Sequence, residues 1–546
     1  MNQSETDHHE SLSPQAPVVT RSFLRRSWAW LGFVALVAAA ISAQSRDMLN
    51  DRSISNLTTT ISLLLAGLLL LVIIYDSLKK ITSKRLSLIL VLVILLLPVL
   101  LIRFRGFSGA MIPMLEFRFR QSASVQETIA KPVESVERAS TSFVQFLGEN
   151  RNAVISTRQF TIPSGDEEEM WRIGVGQGWA SFAIDGQYCI TTEQRDEREC
   201  VTCYRLSDGA LLWIQEDTAR HQNPLGGVGP RSTPTIVADL VYTQGATGIV
   251  QCLKKATGEI VWKQHLLELA GWEQGAAESS IAWGRAASPL VVDQVCIVPF
   301  GRPLESEPSD TRLTGRSLIA FDRETGEVKW TSGEDQISYA SPVLMTLDGE
   351  TQIVAVNEST VTGHRIEDGS QLWVLDWPGA SNSSANCSSA IPVSDNSFLI
   401  AKGYGVGSGV YSVSKMDDIW TVEEKWASHR VLKTKFTHAC VAGDVAFALS
   451  DGMLECVSLI DGKRLWAQPR ESRYEHGQMI LVEDCLVVQA ETGHVAFVAA
   501  SPDEYKELAT IPALSRKTWN VPSIAGDYLA VRNDTEAVMY RLPTKN

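Results

Sequence analysis

The feature that most constrains this chain is a hairpin that it repeats. Ser317 to Trp330, SLIAFDRETGEVKW, reads as an apolar strand, a tight polar turn and a second strand ending in tryptophan. Its core is an Asp or Thr, then Gly, three residues and Trp. It recurs as Asp208-Gly209 to Trp213, Thr257-Gly258 to Trp262, Thr325-Gly326 to Trp330, Asp368-Gly369 to Trp373 and Asp461-Gly462 to Trp466. Glycine reaches the positive φ that a tight hairpin needs, and the Asp or Thr before it bonds the turn backbone. A tryptophan at a fixed offset puts its ring at one recurrent place on the outer strand. Burying about 150–250 Å² there contributes about 4–6 kcal/mol by area, as an upper bound. That place is a seam between neighbouring units, so Trp213, Trp262, Trp330, Trp373 and Trp466 are expected to pack structure rather than stack a ligand.

A second motif lies upstream of each turn: a small or aromatic residue, then Ser or Thr and often Pro, leading into an apolar strand. Eight such lead-ins begin at Trp179, Arg231, Ala287, Tyr339, Ser388, Phe436, His476 and Trp519. From Leu147 onward short runs of Val, Ile, Leu, Tyr and Cys alternate with Gly, Asp, Asn and Pro clusters, the pattern of many short antiparallel strands. A period of about 40 to 55 residues with four short strands per unit predicts a β-propeller. The fold class expected is all-β, with eight four-stranded antiparallel blades over residues 147–546. In the best-preserved unit the strands are Ser288 to Val292, Gln294 to Phe300, Ser317 to Asp322 and Glu327 to Thr331, with an insertion from Arg302 to Arg316. The fifth unit replaces the turn with Met416-Asp-Asp-Ile, the seventh has no tryptophan, and the eighth is short, so Trp171 to Val175 is a candidate for its missing outer strand.

The N-terminal third differs. Trp28–Gln44, Thr58–Tyr75 and Leu86–Ile102 run without a charge and predict three transmembrane helices after a tail of residues 1–27. Small residues Ala40, Ser42 and Ala43 leave cleavage after the first segment open. Arg21, Arg25 and Arg26 before the first segment, and Lys79, Lys80, Lys84 and Arg85 between the second and third, are placed in the cytoplasm by the positive-inside rule. The expected location is the inner membrane, multi-pass, with the propeller on the periplasmic side, although Arg103, Arg105, Arg118 and Arg120 pull the other way. Residues 103–146 read as an interfacial segment and a linker, partly helical between Val133 and Phe146, with a strand or turn packed on the soluble domain as the equal alternative for Arg103 to Arg120. The bilayer is thus one expected partner. A net charge of −14, with no basic block carrying interleaved aromatics, argues against nucleic acid.

The phrases ATGEIVW, ETGEVKW and DGKRLW, each after an apolar strand, resemble the repeats of the PQQ-like, quinoprotein-like propeller family. The resemblance covers about Phe146 to Leu542 and implies seven or eight blades. It leaves two functions open, because the same blade serves quinoprotein dehydrogenases and a periplasmic scaffold of outer-membrane assembly. For a dehydrogenase it implies a quinone against a vicinal cysteine pair and a Trp, calcium held by carboxylates and amides, and an Asp base. The sequence has no Cys-Cys pair and no Cys-x-x-Cys-His. The expected function is a binding or scaffold module for a protein or polar ligand. The alternative is a PQQ- and calcium-dependent alcohol or sugar dehydrogenase.

Other chemistry is poorly represented. Cys200 and Cys203 lack a second pair and fall on opposite faces of a strand, and the nine cysteines mostly sit within apolar strands. Gly405-Val-Gly407-Ser-Gly409 and Asp451-Gly452 precede no phosphate-binding helix. His221, His438, His476 and His494 have no metal-type spacing and read as surface or satisfied residues. No catalytic residue and no metal ligand set is expected. In a propeller the innermost strands line a central channel, so the eight lead-ins converge on one mouth. The candidate binding residues there are Trp179, Arg231, Trp283, Arg285, Tyr339, Asn386, Lys435, His438, Gln478, Trp519 and Asn520, with Gly226-Gly-Val-Gly229 allowing close backbone approach.

Overall fold

The computed structural model describes residues 21–46, 52–119, 124–130, 139–303, 310 and 313–544. The chain forms two compact units, Met1–Phe104 with Leu115–Phe119, and Arg105–Met114 with Arg120–Asn546. The first carries helices α1 (Arg21–Arg46), α2 (Arg52–Leu78) and α3 (Lys84–Leu101). The second and third are long and apolar enough to cross a membrane, whereas the apolar part of α1, Trp28–Ala43, is shorter. At 1.5 Å per residue that part spans about 24 Å, below the roughly 30 Å of a hydrocarbon core. Two candidate spans therefore stand where the sequence reading had three. Small buried residues, Ala40 and Ala43 on α1 and Ala66 on α2, let these two helices approach, and Thr59 Oγ1 donates to Ala40 O at 3.4 Å. Ser83 caps α3, its Oγ accepting from Leu86 N at 3.3 Å. A two-stranded hairpin follows, Ile102–Phe107 with Pro113–Phe117. Arg103 in it pairs with Glu116 at 2.8 Å, so this cation has a protein carboxylate beside it.

The second unit is the propeller. Eight sheets, each built on four antiparallel strands in the order that hairpin connections produce, begin with Ala183–Asp185, Thr235–Val237, Leu290–Val292, Val343–Leu347, Ile391–Ser394, Ala439–Ala442, Gln478–Val482 and Ser523–Ala525, and in blade 7 a fifth strand, Val154–Ile155, pairs parallel with Gln478–Val482. Blade 8 is closed by Glu168–Gly174, which pairs with Glu536–Arg541 and places Trp171 opposite Met539. The ring is thus sealed by a strand from before blade 1, as the position of Trp171 suggested. Every blade carries a register shift between its third and fourth strands. In blade 3 it falls just before the tryptophan, where Ala320 faces Trp330 and Phe321 faces Val328.

The repeated Gly and Trp prove to be one device. Each seam tryptophan lies on the turn glycine of the next blade: Trp171 on Gly209, Trp213 on Gly258, Trp262 on Gly326, Trp330 on Gly369 and Trp426 on Gly462. Its Nε1 donates to the carbonyl that precedes that glycine by three residues, at Leu206, Lys255, Arg323, Ile366 and Leu459, over 2.6–3.1 Å. A Cβ at these glycines would stand 2.5–2.9 Å from the indole, so glycine is required by the neighbour's ring as well as by its own positive φ.

Where the next blade lacks the motif, the tryptophan changes partner. Blade 5 turns through Asp417 and Asp418, both at positive φ, and extends into two ten-residue strands. Trp373, facing it, instead stacks on Phe398 at 5.6 Å and donates to Gln352 Oε1 at 2.6 Å. Trp466 donates to Ser501 O at 2.8 Å across the turn of blade 7.

The tail before residue 21, residues 304–309 and 311–312 of the blade 3 insertion, and residues 131–138 of the linker lie outside the described residues. The described end of the linker, 139–146, forms turns and a bridge rather than a helix. Phe143 exchanges backbone hydrogen bonds with Ile184 at 2.8 Å each and is buried in the core, which holds it extended. The nine cysteines are free thiols, eight buried and Cys387 half-buried, and burial pushes the Cys200 thiol up to about 12.

Candidate functional site

The first strands of adjacent blades touch one another at most of the seams and so form the inner wall, with Val154–Ile155 pairing inside that of blade 7, and the segments leading into them ring one end of the channel. Their side chains form a nearly continuous belt. Gln478 Nε2 donates to Phe436 O at 2.7 Å, and the Phe436 ring lies 4.8 Å from Trp519. Trp519 lies 4.9 Å from Trp179, whose Nε1 donates to Gly226 O at 2.7 Å. Arg231 donates to the same carbonyl and to Gly229 O, both at 2.8 Å. Trp283 flanks Gly226, leaving no room for a Cβ there, and its ring lies 5.4 Å from Tyr339. Tyr339 N donates to Asn386 O at 2.9 Å. The glycine-rich run thus brings backbone to the mouth, where its carbonyls receive indole and guanidinium donors.

The predicted residues divide by environment. Trp179, Arg231, Trp283, Tyr339 and Trp519 belong to one aromatic and cationic arc. Of the others, Arg285, Asn386, Gln478 and Asn520 act as internal clamps through hydrogen bonds to backbone carbonyls. Arg285 is buried and donates to Phe300 O at 2.6 Å, Asn386 to Asn357 O at 2.8 Å, and Asn520 to Ala180 O at 2.6 Å. Lys435 lies 5.8 Å over the Tyr404 ring and 3.9 Å from Asp451. His438 is buried edge-on to Phe146 at 5.2 Å, and burial pulls it down to about 4. His221, His438 and His476 are all buried, so of the two readings, surface or satisfied, the surface one does not describe them.

Sequence reasoning missed four residues of the arc. Glu491, 4 % exposed, sits in the loop between Cys485–Gln489 and Val495–Ala499. Its Oε1 accepts from Trp519 Nε1 at 2.9 Å and from Gly109 N at 2.6 Å, and its Oε2 accepts from His476 N at 3.2 Å. Burial raises its affinity for a proton, against these three donors. Lys517 lies 3.9 Å from the Trp519 ring centre and 5.1 Å from that of Trp179, and donates to Phe107 O at 3.1 Å. Burial lowers it to about 8, helped by Arg105 and Arg231 and opposed by Asp534 and Glu491. His476 and Asp534 complete the set, Asp534 pairing with Arg105 at 3.1 Å.

These residues meet the tip of the hairpin that follows α3, and Arg105–Met114 belongs to the same compact unit as the propeller. The tip is a turn in which Met111 N donates to Ser108 O, Ser108 N to Ile112 O, and Met111 adopts a φ of 60°. Ala110 is fully buried, and a Cβ on Gly109 would stand 2.5 Å from that of His476. A chain segment therefore lies against the mouth, bound through its backbone N–H and C=O groups. Nearby, His221, Arg285, Thr247 and Glu278 line a cavity of about 20 Å³, the size for about one water.

Residues 197–468 match the family described as outer membrane protein assembly factor BamB. No curated protein sequence matches the chain significantly. The fold is similar to a quinohemoprotein alcohol dehydrogenase of Comamonas testosteroni, with a TM-score of 0.53, 12 % identity, and coverage of 75 % of this chain and 81 % of that one. It is similar to another from Pseudomonas putida, at 0.52, 10 %, 74 % and 81 %. BamB from Moraxella catarrhalis is covered over 99 % of its length by 70 % of this chain, at 13 % identity and a TM-score of 0.48. The matched family, the repeats and the eight closed blades make the chain a member of the PQQ-like repeat, quinoprotein-like β-propeller family.

Proposed function

We propose that the chain is a membrane-anchored, extracytoplasmic binding module that receives a polypeptide or polar ligand at its channel mouth. The observation that carries this reading is the arc itself: Glu491 and Lys517 bond the backbone of a chain segment, Gly109 and Phe107, over the Trp179–Trp519 pair. Anchoring rests on α2 and α3, with orientation from the basic residues between them.

Less supports the alternative, a quinone with calcium. No two cysteines are adjacent in the sequence, and among the described residues no group of three or more His, Cys, Asp or Glu is placed to hold a metal. The arc is filled by its own rings, and the cavity beside it has room for about one water. Purified full-length protein incubated with PQQ and Ca²⁺ is expected to retain no quinone chromophore and to reduce no dye with an alcohol or an aldose. Turnover, or a tightly held chromophore, would overturn the binding reading in favour of a dehydrogenase.

A positive test uses the rim. Leu225, 40 % exposed beside Gly226, is replaced by a photo-crosslinking residue in intact membranes. An adduct that disappears in the Glu491→Gln background is expected. Absence of any adduct contradicts the reading.

A further inference from the structure

We infer that the mouth is a site for a glycine-bearing polypeptide turn, of which the chain's own Ser108-Gly109-Ala110-Met111 tip is the resident and exchangeable occupant. The inference deepens the binding reading above and rests on it. The recognition is of shape and backbone. Glu491 Oε1 accepts the Gly109 N–H at 2.6 Å and is held for that task by Trp519 Nε1 at 2.9 Å, while Oε2 is held by His476 N at 3.2 Å. Lys517 reads the carbonyl of Phe107 at 3.1 Å from its seat above the Trp519 ring. None of these contacts asks for a particular side chain on the ligand. What the site does demand is small size, because the His476 ring and Cβ stand 2.5–2.6 Å from where a Cβ on residue 109 would be, and Ala110 is fully enclosed.

One further contact sets polarity. Arg105, at the start of the tip, meets Asp534 at 3.1 Å, so the ligand class is a turn of small residues containing glycine, with a cation about four residues before it. A second polypeptide with that chemistry offers the mouth the same donors and acceptors as the tip, so the two compete for one site.

The full-length protein in detergent tests this. The probe is a fluorescein-labelled synthetic peptide with the sequence of Arg103–Phe117. Gly109→Leu in the chain expels the tip by collision with His476, and Arg105→Glu loosens it by repulsion from Asp534 without altering the mouth. Both variants are expected to bind the peptide at least about tenfold more tightly than the native chain, whose tip competes. A peptide carrying the same Gly109→Leu change is expected not to bind, and Glu491→Gln added to either variant is expected to weaken binding at least about tenfold. Equal binding to the native chain overturns the inference. So does absence of binding to the variants while their unfolding transitions are native-like; if Gly109→Leu does not fold, Arg105→Glu carries the test. Should the peptide fail while the Leu225 adduct forms and still depends on Glu491, the ligand class is wrong and the binding reading stands.

Discussion

Replacing Trp330 by alanine is expected to destabilise the propeller by about 3–5 kcal/mol, the range for emptying a large buried aromatic site. Trp330 is 9 % exposed and packs in a cluster with Leu290, Ile297, Leu318 and Ile353, which come from blades 3 and 4. Its Nε1 donates to Ile366 O at 3.1 Å, so truncation also leaves a buried carbonyl without this donor. The loss falls on a seam between blades, and a closed ring cannot slide to refill it. Chemical denaturation of the detergent-solubilised chain, followed by near-ultraviolet circular dichroism, measures the effect. A loss below about 1 kcal/mol would mean that the seam tolerates a cavity and that the tryptophan has another reason to recur.

Gly326→Val is expected to cost a similar amount, by two separable mechanisms. At a φ of +75° a β-branched residue is strained by about 1–3 kcal/mol. The new Cβ would also stand 2.7 Å from Cγ and Cδ2 of Trp262, an overpacking worth about another 1–3 kcal/mol. The second part belongs to the pair, so Gly326→Val in a Trp262→Ala background should cost at least about 1 kcal/mol less than in the native chain. Gly349 supplies the control: its φ is +81° and nothing lies within 4 Å of its Cβ position, so Gly349→Val carries the strain alone. Equal costs at Gly326 and Gly349, with no coupling to Trp262, would contradict the interlock.

The blades were legible in the sequence because their determinants are local. Asp322 Oδ1 accepts from Glu324 N and Thr325 N at 3.0 Å, and Gly326 N donates to Asp322 O at 2.8 Å, all within one turn. The strand boundaries of blade 3 accordingly fell within a residue or two of those expected. The pairing of Trp262 with Gly326, and of Trp330 with Gly369, was not legible, since each motif contains both a glycine and a tryptophan and suggests that they serve each other. In the folded ring each serves its neighbour.

The mouth was legible in place but not in composition. Trp179, Arg231 and Trp519 stand at the starts of lead-ins and could be counted from the repeat. Glu491 lies in an ordinary hairpin loop, and its partner Gly109 is 382 residues away in a stretch read as interfacial. The alternation RFRGFSGAMIPMLEFRFR allowed cations facing lipid headgroups or a strand or turn packed on the soluble domain; Arg103 meets Glu116, and Arg105 meets Asp534 in the propeller unit, as the second reading has it. Only Lys517, two residues before Trp519, offered a local hint, through the spacing that sets a cation over a ring.

Two positions on the propeller separate a functional mouth from a functional outer edge. Leu225 borders the mouth, and Ile460, 75 % exposed, lies in the turn between Met453–Ser458 and Arg464–Ala467, the outer pair of blade 6. With the same photo-crosslinking residue at each position in intact membranes, adducts are expected from Leu225 and not from Ile460, and the Leu225 adduct is expected to be lost with Glu491→Gln. Adducts from Ile460 alone, or a Leu225 adduct indifferent to Glu491, would place the function on the repeats rather than at the mouth.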